Sequence, residues 1–182
     1  LCLEKVVDRD KKLRRSILLC SHFTRNLAYY RAGWKDGSLR RDDPFWRTLN
    51  SNFLEICVLE WCKLFGDHKD KYHWENIMDD PSKFKQEMFH ELNIKQTDLD
   101  GIWGSIKSLR DKFVAHLDDE EIMNIPQFDL ALSLVIFFHK KAVKSLVNEK
   151  SLVGLPPDLK AFYDACYAEA EKKYIDIQGT PY

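Results

Sequence analysis

The sequence is short of residues that turn a chain. Seven Gly and six Pro in 182 residues are too few for the many tight turns of a β sandwich or barrel. It also lacks an excess of either charge. The 28 Lys and Arg against 29 Asp and Glu leave a net charge of −1. That excludes a polycation gripping nucleic acid through bulk charge, while leaving room for a local basic cleft. No apolar run approaches the roughly 18–20 residues that cross a bilayer. The densest stretch, Leu130 to Phe138, is interrupted by Ser133, so no membrane association is expected. The opening LCLEKVVDRDKK carries no secretory pattern. The cysteines Cys2, Cys20, Cys57, Cys62 and Cys166 form an odd set with no CxxC pair. A disulfide framework is therefore not expected, and a reducing cytoplasm is the simpler setting. Walker, GxGxxG and GxSxG motifs are missing as well.

What is present is helical periodicity nearly throughout. Leu3, Val6, Leu13, Ile17, Cys20 and Leu27 predict one long amphipathic helix to about Tyr30, broken by the segment Ala32 to Ser38. Asp43-Pro44 predicts the next start, Asp as cap and Pro at the first position. Its core side is expected to carry Phe45, Leu49, Phe53, Ile56 and Leu64, widened by Trp46, Cys57 and Trp61, with an end at Gly66. A polar connection follows, from His68 to Asp80. Further helices are expected from Asp80-Pro81 through Leu92, from a Thr97-Asp98 cap to about Ala115, from Pro126 to about Val147, and after Pro156-Pro157-Asp158. The fold class is all-α, an antiparallel helical bundle with flanking helices. Residues 1–182 read as a single domain with a core at about 34–147 and an appended helix at 156–175.

The helix from Thr97 to His116 holds the most information. With Leu99 at 0° and about 100° per residue, Ile102, Trp103, Ile106, Leu109, Phe113 and Val114 share one arc. Arg110 falls inside that apolar stripe, at about 20°. It must therefore snorkel, pair with an acid, or face a cleft or subunit interface. His116 lies near 260°, about 9 Å further along the axis. On one straight helix the two side chains diverge by about 120°. They meet only if the helix ends or bends near Ala115, or if two chains each bring a pair. The opposite face holds Gly101, Gly104, Ser105, Ser108 and Ala115. Two glycines inside a helix cost about 1 kcal/mol each relative to Ala, which predicts close packing of a neighbour there.

The segment Leu109-Arg110-Asp111-Lys112-Phe113-Val114-Ala115-His116-Leu117-Asp118 resembles the signature of HEPN domains, an Arg and a polar residue followed four to six residues later by His. RDKFVAHLD looks closest to the abortive-infection, AbiU-like branch. Glu60 to Gly66 (EWCKLFG) and His73-Trp74 resemble that branch too, and the likeness spans about Trp34 to Val147. The family's usual residue after the Arg is Asn in many active members; here it is Asp111. The resemblance implies a metal-independent endoribonuclease of an antiphage, toxin-type system, working as a homodimer with paired Arg/His motifs across a cleft, with an antitoxin or partner protein as a candidate restraint. It implies His116 as general acid/base and Arg110 as the phosphate-stabilising group, with Asp111 orienting one of them. These residue types suit cleavage by the ribose 2′-hydroxyl, because histidine exchanges protons near neutral pH and the arginine fork matches phosphate oxygens. The alternative is a non-catalytic helical module that binds nucleotide, RNA or protein through the same cleft.

Lys112, Lys140 and Lys141 are the candidate RNA-binding residues; Lys140, Lys141 and Lys144 have no acid among them. The basic run from Lys5 to Arg15 is interleaved with Glu4, Asp8 and Asp10, and reads as a solvated helix face. Tyr29, Tyr30 and Trp34 read as packing residues at a helix end rather than base-stacking platforms. His139, among Phe137, Phe138 and Val143, reads as a core histidine. Cys62, His68 and His73 match no strong zinc spacing, so neither a metal nor any other cofactor is expected.

Overall fold

Leu13, Ile17, Cys20, Phe23 and Leu27 recur at helical spacing and are each 1% exposed or less. They form the inner face of α1, Cys2–Ala32, around which the rest of the chain packs. The structure is a computed structural model that describes residues 2–114 and 124–176. After α1 comes a minimal hairpin, β1 (Trp34–Lys35) and β2 (Ser38–Leu39). Asp36 and Gly37 take positive φ, 51° and 78°, the two left-handed residues of a two-residue hairpin turn. The segment expected to break the helix is thus a small β turn, and Asp-Gly is its signal.

Helix α2, Pro44–Trp61, is capped as expected, with the Asp43 side chain accepting from the Trp46 N–H. Its buried face matches the expected one at Cys57 and Trp61 and differs elsewhere. Asn50, Leu54, Cys57, Val58 and Trp61 are buried, whereas Phe45 is 67% and Ile56 38% exposed. The helix is apolar on two sides, and only the side that follows α1 is covered. Its backbone then widens into a single π turn, Cys62–Gly66. Short α3 (Trp74–Ile77) lies within the polar connection. Next come α4 (Pro81–Leu92) and α5 (Gln96–Leu109), and a second π turn, Arg110–Val114, follows α5. The chain resumes with α6 (Asp129–Lys144), a 3₁₀ turn (Glu149–Leu152) and α7 (Leu159–Asp176). The fold is all-α.

Side-chain pairs set the directions. Asn50 bonds the Tyr30 carbonyl, and Cys57 the Phe23 carbonyl, so α2 runs back along α1. Arg31 meets Asp129 at one end of α6, while Arg9 meets the Ser145 carbonyl at the other. Hence α6 is also antiparallel to α1. Helix α7 runs the same way as α1: Arg25 lies over Phe162 and Tyr29 reaches Glu169. The bundle therefore mixes antiparallel pairs with one parallel neighbour. Helix α1 is the centre of the hydrophobic core. Leu159 of α7 joins the main core, and Tyr174 packs with Ala32. Buried aromatic rings weld α2, α3, α4 and α6, through Trp61–Phe65, Phe65–Phe138, Trp74–Phe84 and Phe84–Phe138. Full burial of such side chains is worth roughly 1.5–3 kcal/mol each. No helix among the described residues is long and apolar enough to cross a membrane.

Candidate functional site

Helix α5 starts two to three residues earlier than its Thr97-Asp98 signal suggests. Asp98 reaches back to accept from the Lys95 N–H at 2.7 Å, making Lys95 the cap residue. Ile102, Ile106 and Leu109 are buried as the wheel requires, and Leu99 and Trp103 pack against the core. The side chains of Phe113 and Val114, and all of Ala115 to Met123, lie outside the described residues. His116 and the acidic stretch 118–121 fall there.

At Arg110 the α step ends. The π turn begins on this residue, where the straight-helix wheel had placed any bend near Ala115. Isolated π turns inside helices are frequent at functional sites. Two side-chain contacts hold this end of α5 to the matching π turn after α2. Trp103 Nε1 donates to the Gly66 carbonyl at 3.0 Å. Arg110 lies against the Cys62 thiol. Gly66 itself is packed tightly over Cys62: an added Cβ would stand 3.1 Å from that residue's Cβ.

The Arg110 side chain is 24% exposed. Its acid is its own neighbour: Nε donates to Asp111 Oδ1 at 2.8 Å, and a terminal nitrogen lies 2.6 Å from the same oxygen. Asp111 is 46% exposed, so the pair opens to solvent and is not sealed inside the bundle. Burial acts to lower the Arg110 pKa, but the Asp111 bond and the Cys62 thiol outweigh it and leave it raised. Burial pushes the Cys62 thiol up to about 11, with Arg110 pulling the other way. This thiol stays protonated near neutral pH and is a poor nucleophile.

The small face of α5 borders a groove of about 540 Å³ lined by Gly101, Gly104, Ser105, Ser108, Lys112 and Ile125, among others. Among the described residues nothing lies within 4 Å of a Cβ built at Gly101 or Gly104. The neighbour expected against these glycines is therefore not found in the described chain. Lys112 is half-buried at the groove.

The other candidates are engaged elsewhere. Lys140 contacts Glu91, and Lys141 bridges Glu87 and Glu91 of α4. Tyr29 packs edge-on against Phe53, Tyr30 against Trp34, and the Trp34 indole donates to Asn50. His139 is 2% exposed, and its pKa is lowered by burial. In the basic run of α1, Arg9 binds Asp79, while Arg14 binds the Ser151 carbonyl. Asp10 is buried and accepts from the N–H groups of Val147 and Asn148. These side chains fasten the end of α6 to α1. Cys20, Cys57, Cys62 and Cys166 are buried free thiols.

Spacing alone missed one grouping. His68 and His73, in the connection before α3, converge on Glu75 in its first turn, while Cys62 is not part of the group. Comparison with protein-family models, curated proteins and solved structures returns no match.

Proposed function

We propose that this chain is a metal-independent endoribonuclease of the HEPN type, acting as a homodimer in antiphage defence. The observation that carries the reading is Arg110. A guanidinium on the core side of a helix is kept charged, reaches solvent, and stands where the backbone widens into a π turn. A planar cation so placed suits the equatorial oxygens of a phosphorane. In this reading His116 exchanges the proton of the attacking 2′-hydroxyl, and Lys112 at the neighbouring groove meets the RNA backbone. The second chain approaches over the small-residue face of α5. The cut leaves a 2′,3′-cyclic phosphate and a 5′-hydroxyl, because the attacking oxygen belongs to the RNA itself.

One observation favours the second reading, a binding module without catalysis. The Arg110 fork already holds Asp111, which competes with phosphate for the same donors.

The test is incubation of the protein with total RNA and with tRNA, in excess chelator, followed by end-group analysis. Arg110→Ala and His116→Ala are expected to abolish cleavage while the helical circular dichroism is kept. Full activity in both variants refutes the proposal. Binding of RNA without cleavage supports the module.

A further inference from the structure

The connection between the first π turn and α4 is held by its own backbone. Asp67 accepts from the Lys69 N–H and Asp70 from the Tyr72 N–H. Asn76 donates to the carbonyls of both His68 and Asp70, at 2.8 Å each. This bracing brings His68 and His73 to the first turn of α3, where Glu75 stands. The His68 Nδ1 lies 2.7 Å from Glu75 Oε2, and the His73 Nδ1 lies 3.8 Å from that oxygen. All three ligand atoms fall within 4.8 Å of one another, and the two imidazoles lie tilted at 57° with centroids 4.6 Å apart.

His73 has 0% exposure, unusual for an imidazole. Its Nδ1 accepts from the Glu75 N–H at 3.4 Å, so its ring proton sits on Nε2. That nitrogen is buried and faces the Phe65 carbonyl. The Nδ1 lone pair lies toward Glu75 and His68 and is engaged only by the long 3.4 Å contact from the Glu75 N–H, which a bound cation would replace.

We propose that His68, His73 and Glu75 bind one divalent transition cation, Zn²⁺ foremost. Two imidazole nitrogens and one carboxylate oxygen are a zinc donor set, with bonds of roughly 2.0–2.2 Å. Tetrahedral ligand atoms at such distances stand about 3.4 Å apart. The 2.7 and 3.8 Å separations bracket that value, so small side-chain movements complete the site. Three protein ligands leave a fourth position open. It faces a pocket of about 200 Å³ that Lys85, Gln96, Asp100 and Trp103 also line, room for water or a small anionic ligand. The bound cation ties the connection to the start of α3. Arg110 lies about 10 Å along α5 from Trp103, so this site is separate from the proposed RNA cleft.

The experiment uses untagged full-length protein, stripped with chelator and titrated with Zn²⁺ by calorimetry and with Co²⁺ by electronic absorption. One ion per chain is expected, with a tetrahedral cobalt spectrum free of thiolate charge transfer. His68→Ala and Glu75→Gln, both at exposed or half-exposed positions, are expected to weaken binding by more than about 100-fold, beyond what loss of a supporting group does. Cys62→Ser is expected to bind as wild type does. No stoichiometric binding, unchanged affinity in both ligand variants, or loss of binding in Cys62→Ser overturns the proposal. RNA cleavage is scored separately, and its presence or absence bears on the nuclease reading alone.

Discussion

Replacing Gly33 by alanine tests how tightly the α1–α2 corner is built. An added Cβ would stand 2.3 Å from Asn50 Nδ2 and 2.9 Å from the Tyr174 hydroxyl. Neither group is free to leave. Asn50 is 3% exposed, donates to the Tyr30 carbonyl at 3.0 Å and accepts from Trp34 Nε1 at 3.1 Å. Tyr174 is 3% exposed and packs on Trp46. Overpacking costs about 1–3 kcal/mol, and displacing Asn50 strands its partners at about 1–3 kcal/mol more. The expected loss is about 2–6 kcal/mol, or about 4–24 °C in melting temperature for a chain of this size. Thermal and urea denaturation followed by circular dichroism measures it. Asn50→Ala makes room for the new methyl, so the double variant is expected to lose much less than the sum of the singles. Gly104→Ala is the control. Its Cβ meets nothing, and in dilute monomeric protein it is expected to stabilise by about 0.5–1 kcal/mol. A Gly33→Ala melting point within about 2 °C of wild type, or strict additivity with Asn50→Ala, refutes the reasoning.

Asp111→Asn frees the Arg110 fork from its internal carboxylate, and is expected to tighten RNA binding severalfold by fluorescence anisotropy; weaker binding would give Asp111 a positive role. His139 is buried with its pKa lowered by that burial. The unfolded chain therefore takes up this proton first, and its share of stability is present above about pH 6.5 and lost as pH falls through the lower folded value. Urea midpoints between pH 7.5 and 5 are expected to fall, and His139→Gln to flatten the fall; an equal slope in the variant contradicts the assignment. Lys141→Ala removes both contacts between α6 and α4 made by that side chain, yet a partly exposed ion pair is worth about 0–1 kcal/mol, so only a small loss in urea stability is expected. A loss above about 2 kcal/mol would show that the bridge is more than a surface pair.

Local chemistry was the most legible part of the sequence. Asp80 accepts from the Lys83 N–H and Asn93 closes the other end of α4 in the left-handed conformation. Both signals sit within four residues of the boundary they set. The buried face of α2 was harder, because Phe45, Ile56 and Leu59 are as apolar as Leu54 and Val58. Only the path of α1 decides which set is covered. The direction of α7 is likewise fixed by partners more than a hundred residues away. The wheel placed Arg110 on the core side of α5, and the structure adds its acid, Asp111, and its neighbour, Cys62. Lys140 and Lys141 lack acids nearby in sequence, but α4 supplies Glu87 and Glu91 across space. No residue type announces a π turn. Glu75 was hidden because metal-ligand spacings are read from Cys and His, and it takes the folded connection to bring a glutamate oxygen within 2.7 Å of His68 Nδ1 and 3.8 Å of His73 Nδ1.

A π turn is an α-helix carrying one residue more than its ladder can use. Removing a single residue from Arg110–Val114 would let α5 run on in regular α register and close the widened turn that opens at Arg110. The width of the backbone beneath the arginine is therefore written in a residue count. A deletion of one residue there would take the turn away and leave the Arg110 side chain itself unaltered.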